Sequence, residues 1–223
     1  MRRISIMLSA IGIPMATIIR LAQLKLNVKK CNSFESKLSF EVLQLIKKYG
    51  NIIRIRSRSI TLLEFFIDEL RDIYGAEKQL AQVLPKLRTA ATSPDLAMAF
   101  EDHLNVTQNH ISRLEQIFQL LERKAEAKKC EGMDGLIKEG EAVIHDTEKG
   151  SATRDVGLIM SAQKVEHYEI AAYGTLRQVA KTIDKGEISR LLEQTLQEEK
   201  ETDMLLSNLA ETLINQDAST EIR

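Results

Sequence analysis

The chain has 223 residues, 43% of them hydrophobic and 28% charged, enough for one domain with a real core and some additional length. With no Trp, six Phe, four Tyr and three Pro, a β-sandwich or barrel is disfavoured, because such folds draw heavily on aromatics and turn residues. The net charge of -1 averages two unlike segments: residues 1–60 carry twelve Lys or Arg against Glu35 and Glu41, whereas residues 61–223 carry nineteen against thirty Asp or Glu. So acidic a body argues against nucleic acid as a partner, since phosphate contacts need a positive surface. Cys31 and Cys130 fit no spaced metal motif and no disulfide framework, which points to a reducing compartment and a cytoplasmic protein.

Met1-Arg2-Arg3 leads into an apolar stretch from Ile4 to Ile19, interrupted by Pro14, with the outline of a secretory n-region and h-region. The stretch is shorter than the roughly twenty residues a span requires, so no stable membrane insertion is expected. It also runs into Arg20-Leu-Ala-Gln-Leu-Lys without a small-x-small cleavage site. Residues 34–49 suit a short helix, and Arg54 to Arg58 form a basic patch. Three readings stay open for residues 1–60: a poorly ordered leader joined upstream of a shorter protein, a targeting segment, or a basic amphipathic arm.

From Leu62 onward the pattern turns regular. Phe66, Leu70, Ile73, Glu77, Leu80, Leu84 and Leu87 follow steps of four and three, the stripe of a helix facing a core. Pro85 predicts a kink or early stop in that helix. Ser93, Pro94 and Asp95 then form a restart, with a capping hydroxyl, a proline at the first helical position and an acid at the positive end of the dipole. A second helix carries Leu96, Phe100, His103, Thr107, His110, Leu114, Ile117 and Leu121, and ends in the charged run Glu122 to Lys129. Residues 130–150 contain four glycines and a short amphipathic piece around Leu136-Ile137 and Val143-Ile144, as suits a crossover with a small helix.

A third helix runs from about Thr153 to Thr182 with Val156, Ile159, Gln163, Glu166, Ile170, Tyr173, Leu176 and Ala180 on one side. Asp184, Lys185 and Gly186 make a tight turn. The fourth helix presents Ile188, Leu191, Thr195, Glu198, Thr202, Leu205, Leu209 and Ile214. The predicted fold over residues 61–215 is therefore all-α: an antiparallel four-helix bundle in up-down-down-up order, its long crossover carrying a short helix. Residues 216–223 read as a polar tail, and a continuous coiled-coil rod conflicts with the glycines and short loops.

Each stripe loses its apolar residue near mid-length. Glu77, the Thr107–His110 pair, Glu166 with Glu169, and Glu198 to Thr202 lie at matching depths if the helices have equal length. Several carboxylates buried together lose hydration and repel, and divalent or trivalent cations relieve both effects. Oxygen-rich ligands with one or two imidazoles suit iron or manganese, and a pair of such ions suits a four-helix core. The plainer alternatives are that Glu77 is solvated by a small helix rotation, that His103 and His110 are hydrogen-bonded core histidines, and that Glu199 and Glu201 face solvent. His145 reads as a surface residue, and His167, on the face next to Glu166, as either a surface residue or a support to a ligand. Tyr173, one turn beyond Glu169, either donates to a carboxylate or merely packs.

The segments LLEFFIDELRDIYGAEKQL, FEDHLNVTQNHISRLEQIF, KKCEGMDGLIKEG, KVEHYEIAAYGTLRQVA and LLEQTLQEEKETD resemble the bacterial ferritin-like family that includes the YciE and YciF stress proteins. The resemblance spans about residues 61–212. It implies a ferritin-like bundle, a homodimer, and a dinuclear centre of iron or manganese with two ions per chain. By position it implies metal ligands at Glu77, His110, Glu166 and Glu198. Glu169, Glu201 and His103 complete the candidate set. The wider ferritin pattern has Glu-x-x-His on the second and fourth helices, where this chain has Thr107-x-x-His110 and Glu198-x-x-Glu201. The expected function is a stress-response metal protein that oxidises iron or removes peroxide. The competing expectation is a non-enzymatic helical scaffold with a structural or lost metal site.

Overall fold

The computed structural model describes residues 60–221. The readings made for the N-terminal extension, its short helix, its basic patch and Cys31 lie outside the described residues. Six α-helices occur among those described: α1 (Leu62–Ala90), α2 (Pro94–Leu120), α3 (Glu131–Asp146), α4 (Ala152–Thr182), α5 (Gly186–Leu209) and α6 (Asn215–Thr220). A π-helical turn, Ala210–Ile214, joins the last two.

Local chemistry sets the helix starts. Thr61 caps α1 in a reciprocal box: its hydroxyl accepts from the Glu64 N–H at 3.1 Å, and the Glu64 carboxylate accepts from the Thr61 N–H at 3.0 Å. Ser93 caps α2 ahead of Pro94, as its sequence predicts. Asp155 in the first turn of α4 accepts from the Thr92 and Ser93 amides at 2.8 and 2.7 Å, pinning the α1–α2 loop to the far end of the bundle. Pro85 does not stop α1, which continues one further turn to Ala90. The proline lies on the exposed side of the helix, where water can take the carbonyl it leaves without a donor.

The ends of α2 and α4 both use a left-handed residue, Glu122 at φ 54° and Asp184 at φ 57°. There the Arg123 amide reaches the Phe118 carbonyl and the Lys185 amide reaches the Ala180 carbonyl, each at 2.9 Å, which satisfies carbonyls the helix leaves open. The tail expected to begin at residue 216 is helical as far as Thr220. Glu221 then accepts from the Ala152 and Thr153 amides, capping the start of α4.

The four long helices pack as two hairpins, α1 with α2 and α4 with α5, with α2 against α5 and α1 against α4 closing the square. Arg177 pairs with Glu193 while Gln163 donates to Ser207, so α4 and α5 run antiparallel. His103 meets Glu166, and His110 lies edge-on to Tyr173, so α2 and α4 run parallel. This is the up-down-down-up order that a long crossover permits.

The crossover itself has no regular secondary structure from Arg123 to Cys130 and then forms α3. It passes over α1 at Gly75, where a Cβ would sit 1.8 Å from the Lys128 carbonyl oxygen. Only glycine lets the two backbones approach this closely. α3 then lies over the seam between α1 and α4. Leu70, Ile73, Phe100, Leu114, Phe118, Leu158 and Leu192 are among the buried side chains of the continuous core.

Candidate metal centre

Midway along the bundle the core turns polar. Glu77 from α1, His103 and His110 from α2, Glu166 and Glu169 from α4, and Glu199 from α5 are all buried. They form two overlapping groups, His103–Glu166–Glu169–Glu199 and Glu77–His110–Glu199, and within each the ligand atoms all lie within 4.8 Å of one another. Glu199 belongs to both.

The polar atoms in this layer are mostly unpartnered. Both oxygens of Glu166, Glu169 and Glu199, Oε2 of Glu77, Nε2 of His103, Nδ1 of His110 and Oγ1 of Thr107 are buried without a hydrogen bond. Native interiors leave few such atoms, and those few call for an explanation. The set is almost all acceptors, with two imidazoles among carboxylates, a donor set that could hold a hard or borderline cation.

His110 is the most constrained member. Its Nδ1 lies 3.3 Å from Glu77 Oε1 and 3.1 Å from Glu199 Oε1, with neither oxygen placed to accept an N–H bond. Its Nε2 lies 2.9 Å from Glu198 Oε2. Arg113, one turn further along α2, grips both oxygens of Glu198 at 2.8 and 3.0 Å and also donates to Thr195 Oγ1 at 2.5 Å. Burial pushes the Glu198 carboxyl up, but the Arg113 guanidinium outweighs that and holds it below the ordinary carboxylate range. Were His110 neutral, an ionised Glu198 would accept its Nε2 hydrogen bond and leave the Nδ1 lone pair for a cation, the carboxylate–histidine arrangement of metal sites.

Without a metal, protons take the place of cations. Burial pushes Glu166 and Glu169 well above the ordinary carboxylate range, reinforced by the charges of Glu199 and Glu77. Glu199 is pushed up to about 7, chiefly by burial. Burial pulls the His110 imidazolium down, yet Glu199 and Glu77 overcome this and raise it to about 10. His103 is lowered to about 3 by burial and by His110.

The structure therefore brings together Glu77, His103, His110, Glu166 and Glu169 from the residues expected by sequence. It does not bring in Glu198 or Glu201. Glu198 turns to His110 Nε2 and Arg113, and Glu201 lies on the exposed face, accepting from Gln197 at 3.0 Å. Glu199, expected to face solvent, fills the α5 position. The stripe read through Leu191, Glu198 and Leu205 is rotated by one residue: the side chains α5 buries are Ile188, Leu192, Thr195, Leu196, Glu199 and Leu206. Leu192, Leu196, Glu199 and Leu206 keep steps of four, three and seven, a signal present in the sequence beside the stripe that was read. Arg113 gives no such sign, because it matters only through Glu198.

Residues 61–219 match the family described as a domain of unknown function, DUF892. The chain belongs to the DUF892 family. Protein YciF of Escherichia coli (strain K12) is 43% identical over 162 residues, spanning 72% of this chain and 97% of YciF. The crystal structure of that stress protein matches with a TM-score of 0.68, covering 71% of this chain and 99% of the other at 43% identity. YcfI of Rhodopseudomonas palustris, described as a candidate structural protein, matches at 39% identity and a TM-score of 0.65, over 68% of this chain and 96% of its own. A Xanthomonas campestris pv. campestris protein at 23% identity, covering 72% of this chain and 99% of its own with a TM-score of 0.58, shares the fold.

Two tyrosines border the polar layer of this DUF892 domain. The Tyr173 hydroxyl donates to Glu77 Oε1 in the interior, which fixes that carboxylate and leaves Oε2 free toward the cluster. Tyr168 donates to Asp72 Oδ2 at 3.1 Å and lies 2.9 Å from Cys130 Sγ. The Cys130 sulfur also accepts from the Met133 amide at 3.4 Å, capping α3 and tying the crossover to α1 and α4. Burial raises both the thiol and the Tyr168 phenol, so both are neutral anchors.

Proposed function

We propose that this DUF892 protein holds a dinuclear centre of iron, or of iron and manganese, and serves in a stress response by oxidising iron or removing peroxide. The observation that carries this reading is the shell of buried, unpartnered carboxylate and imidazole atoms contributed by all four long helices. A scaffold whose interior needed only to be filled would be more stable with leucines in these places, because each buried charge without a partner costs several kcal/mol.

Glu77, His110 and Glu199 would hold one ion, and His103, Glu166, Glu169 and Glu199 would hold the second. Paired redox ions supply electron transfer to an oxygen species when bound. The chain's own parts have separable tasks. Glu198 and Arg113 fix the His110 tautomer, Tyr173 orients Glu77, and the leucines above and below exclude water. Glu199 couples the two ion positions through one side chain.

A second reading, a non-enzymatic scaffold that uses metal for stability alone, draws on the description given to YcfI. The same ligands serve both readings, so turnover separates them. We further place the protein in the cytoplasm as a homodimer. Among the described residues no helix is long and apolar enough to cross a membrane, and exposed Met160, Met204 and Leu205 offer apolar surface to a second copy. Light scattering of purified protein decides the dimer.

The test of the centre is metal analysis of the full chain after iron or manganese loading, compared with a Glu77→Ala, Glu166→Ala double variant. Two ions per chain in the parent and loss in the variant are expected. A folded parent that takes up neither metal would overturn the proposal.

A further inference from the structure

A second feature adjoins the polar layer on one side only. Beneath the crossover helix α3 lies a cleft walled by Leu80, Val83, Leu84 and Leu87 of α1, Leu136, Ile137 and Gly140 of α3, and Ala162 and Val165 of α4. It has about 20 Å³ of room for the centre of a small molecule, where one water needs roughly 10–15 Å³. Val83, Leu136 and Ile137 are half-buried and form its outer rim, while His103 and Glu166 form its floor. Small residues make the space: Gly140, Ser161 and Ala162 meet where α3 crosses α4, and a Cβ on Gly140 would stand 3.6 Å from that of Ser161.

We infer that this cleft is a binding port that delivers a neutral diatomic molecule, dioxygen, to the His103 side of the centre. The inference rests on the dinuclear reading above for its destination but on the cleft alone for its ligand. The walls carry almost no polar group. Ser161 donates its hydroxyl proton to the Gly157 carbonyl at 2.9 Å and has none left for a guest. Peroxide would bring two donors and several lone pairs into a space that answers only at the floor, and each unmet hydrogen bond weighs against its entry. A small anion would lose its hydration and meet Glu166 at the floor. Dioxygen has neither demand, and apolar walls of this kind take apolar guests. The unpartnered Nε2 of His103 and both unpartnered oxygens of Glu166 mark the floor as the place where the guest would meet a bound ion.

Dioxygen itself is the probe. In metal-free full-length protein under oxygen pressure, its paramagnetism should broaden the methyl resonances of Leu80, Val165 and Ile137 selectively. Leu192 and Ile188, equally apolar but lining no part of the cleft, should be spared. Ala162→Leu, which fills the cleft, and Ile137→Trp, which closes its half-buried rim and threatens the fold less, should each abolish the selective broadening. In iron(II)-loaded protein the same two variants should slow loss of iron(II) to dissolved dioxygen about tenfold at low oxygen, with iron content unchanged. Uniform broadening across buried methyls, or variants that react as fast as the parent, would overturn the port. If the parent binds no iron, the dinuclear reading falls, and the methyl spectra still decide whether the cleft takes dioxygen.

Discussion

His103 and His110 lie seven residues apart on one face of α2, both buried, yet their surroundings differ in kind. His110 is held at Nε2 by Glu198 and, through it, by Arg113, while Glu77 and Glu199 lie 3.3 and 3.1 Å in front of an Nδ1 that makes no hydrogen bond. His103 has Glu166 3.5 Å from Nδ1, an unpartnered Nε2, and the apolar cleft beside it. One half of the site is fixed by charge and hydrogen bonds, and the other is left open to a guest. A site meant only to brace the fold would have no reason to leave one half open, and the asymmetry gives each half its own test.

Removing what the halves share should have the largest effect. Glu199→Gln should abolish binding at both positions, read as loss of both ions by elemental analysis. It should also raise the thermal midpoint of the metal-free protein, because a like charge leaves a crowded interior. Retention of one ion would mean that the halves do not share Glu199.

Next comes the anchored half alone. Glu198→Gln removes the anion that holds the Nε2 proton of His110, and should weaken one ion's affinity by about 10–100-fold while sparing the other. Competition with a chelator resolves the two constants, and equal weakening of both would break the comparison.

The pH response should change sign with metal. Folded Glu199 keeps its proton up to about 7 against an ordinary 4.5, and Glu166 and Glu169 shift the same way. The Glu199 contribution to metal-free stability is complete below about 4.5 and is lost as pH rises through about 7, a change on the order of a few kcal/mol, and those of Glu166 and Glu169 are likewise lost with rising pH. His103 acts oppositely, losing its contribution as pH falls from 6.5 toward about 3. Thermal melts of metal-free protein between about pH 5 and 8 should therefore fall with rising pH. Metal-loaded protein should gain stability over that interval, since ligation needs deprotonated groups. The smallest effect belongs to Glu201→Gln, which should leave metal content unchanged and move stability by less than about 0.5 kcal/mol.

Much of this was legible in the residues. The stripes on α1 and α2 run through Phe66, Leu70 and Leu80 and through Phe100, Leu114 and Ile117, and the structure buries those side chains. Caps at Ser93 and the turn at Asp184 follow from side-chain chemistry within a few positions. Glu77, His110 and Glu166 stand out because each breaks a stripe that is otherwise apolar. On α5 the periodicity admits two stripes one residue apart; the reading through Glu198 is not the one the structure follows, and Glu199 enters the core instead. Adjacent residues on a helix point about 100° apart, so a modest rotation of α5 exchanges which of the two enters the core.

By itself, then, the sequence determined four amphipathic helices, their order, and a layer of carboxylates and histidines at common depth. These depend on periodicity and local capping, which act over one or two turns. Tertiary structure alone decided that Glu199 joins the cluster while Glu198 stands behind His110, that Arg113 matters, and that α3 leaves a cleft above His103. Those outcomes depend on how helices rotate and cross once all the buried faces compete for the same space, and no single helix carries that information.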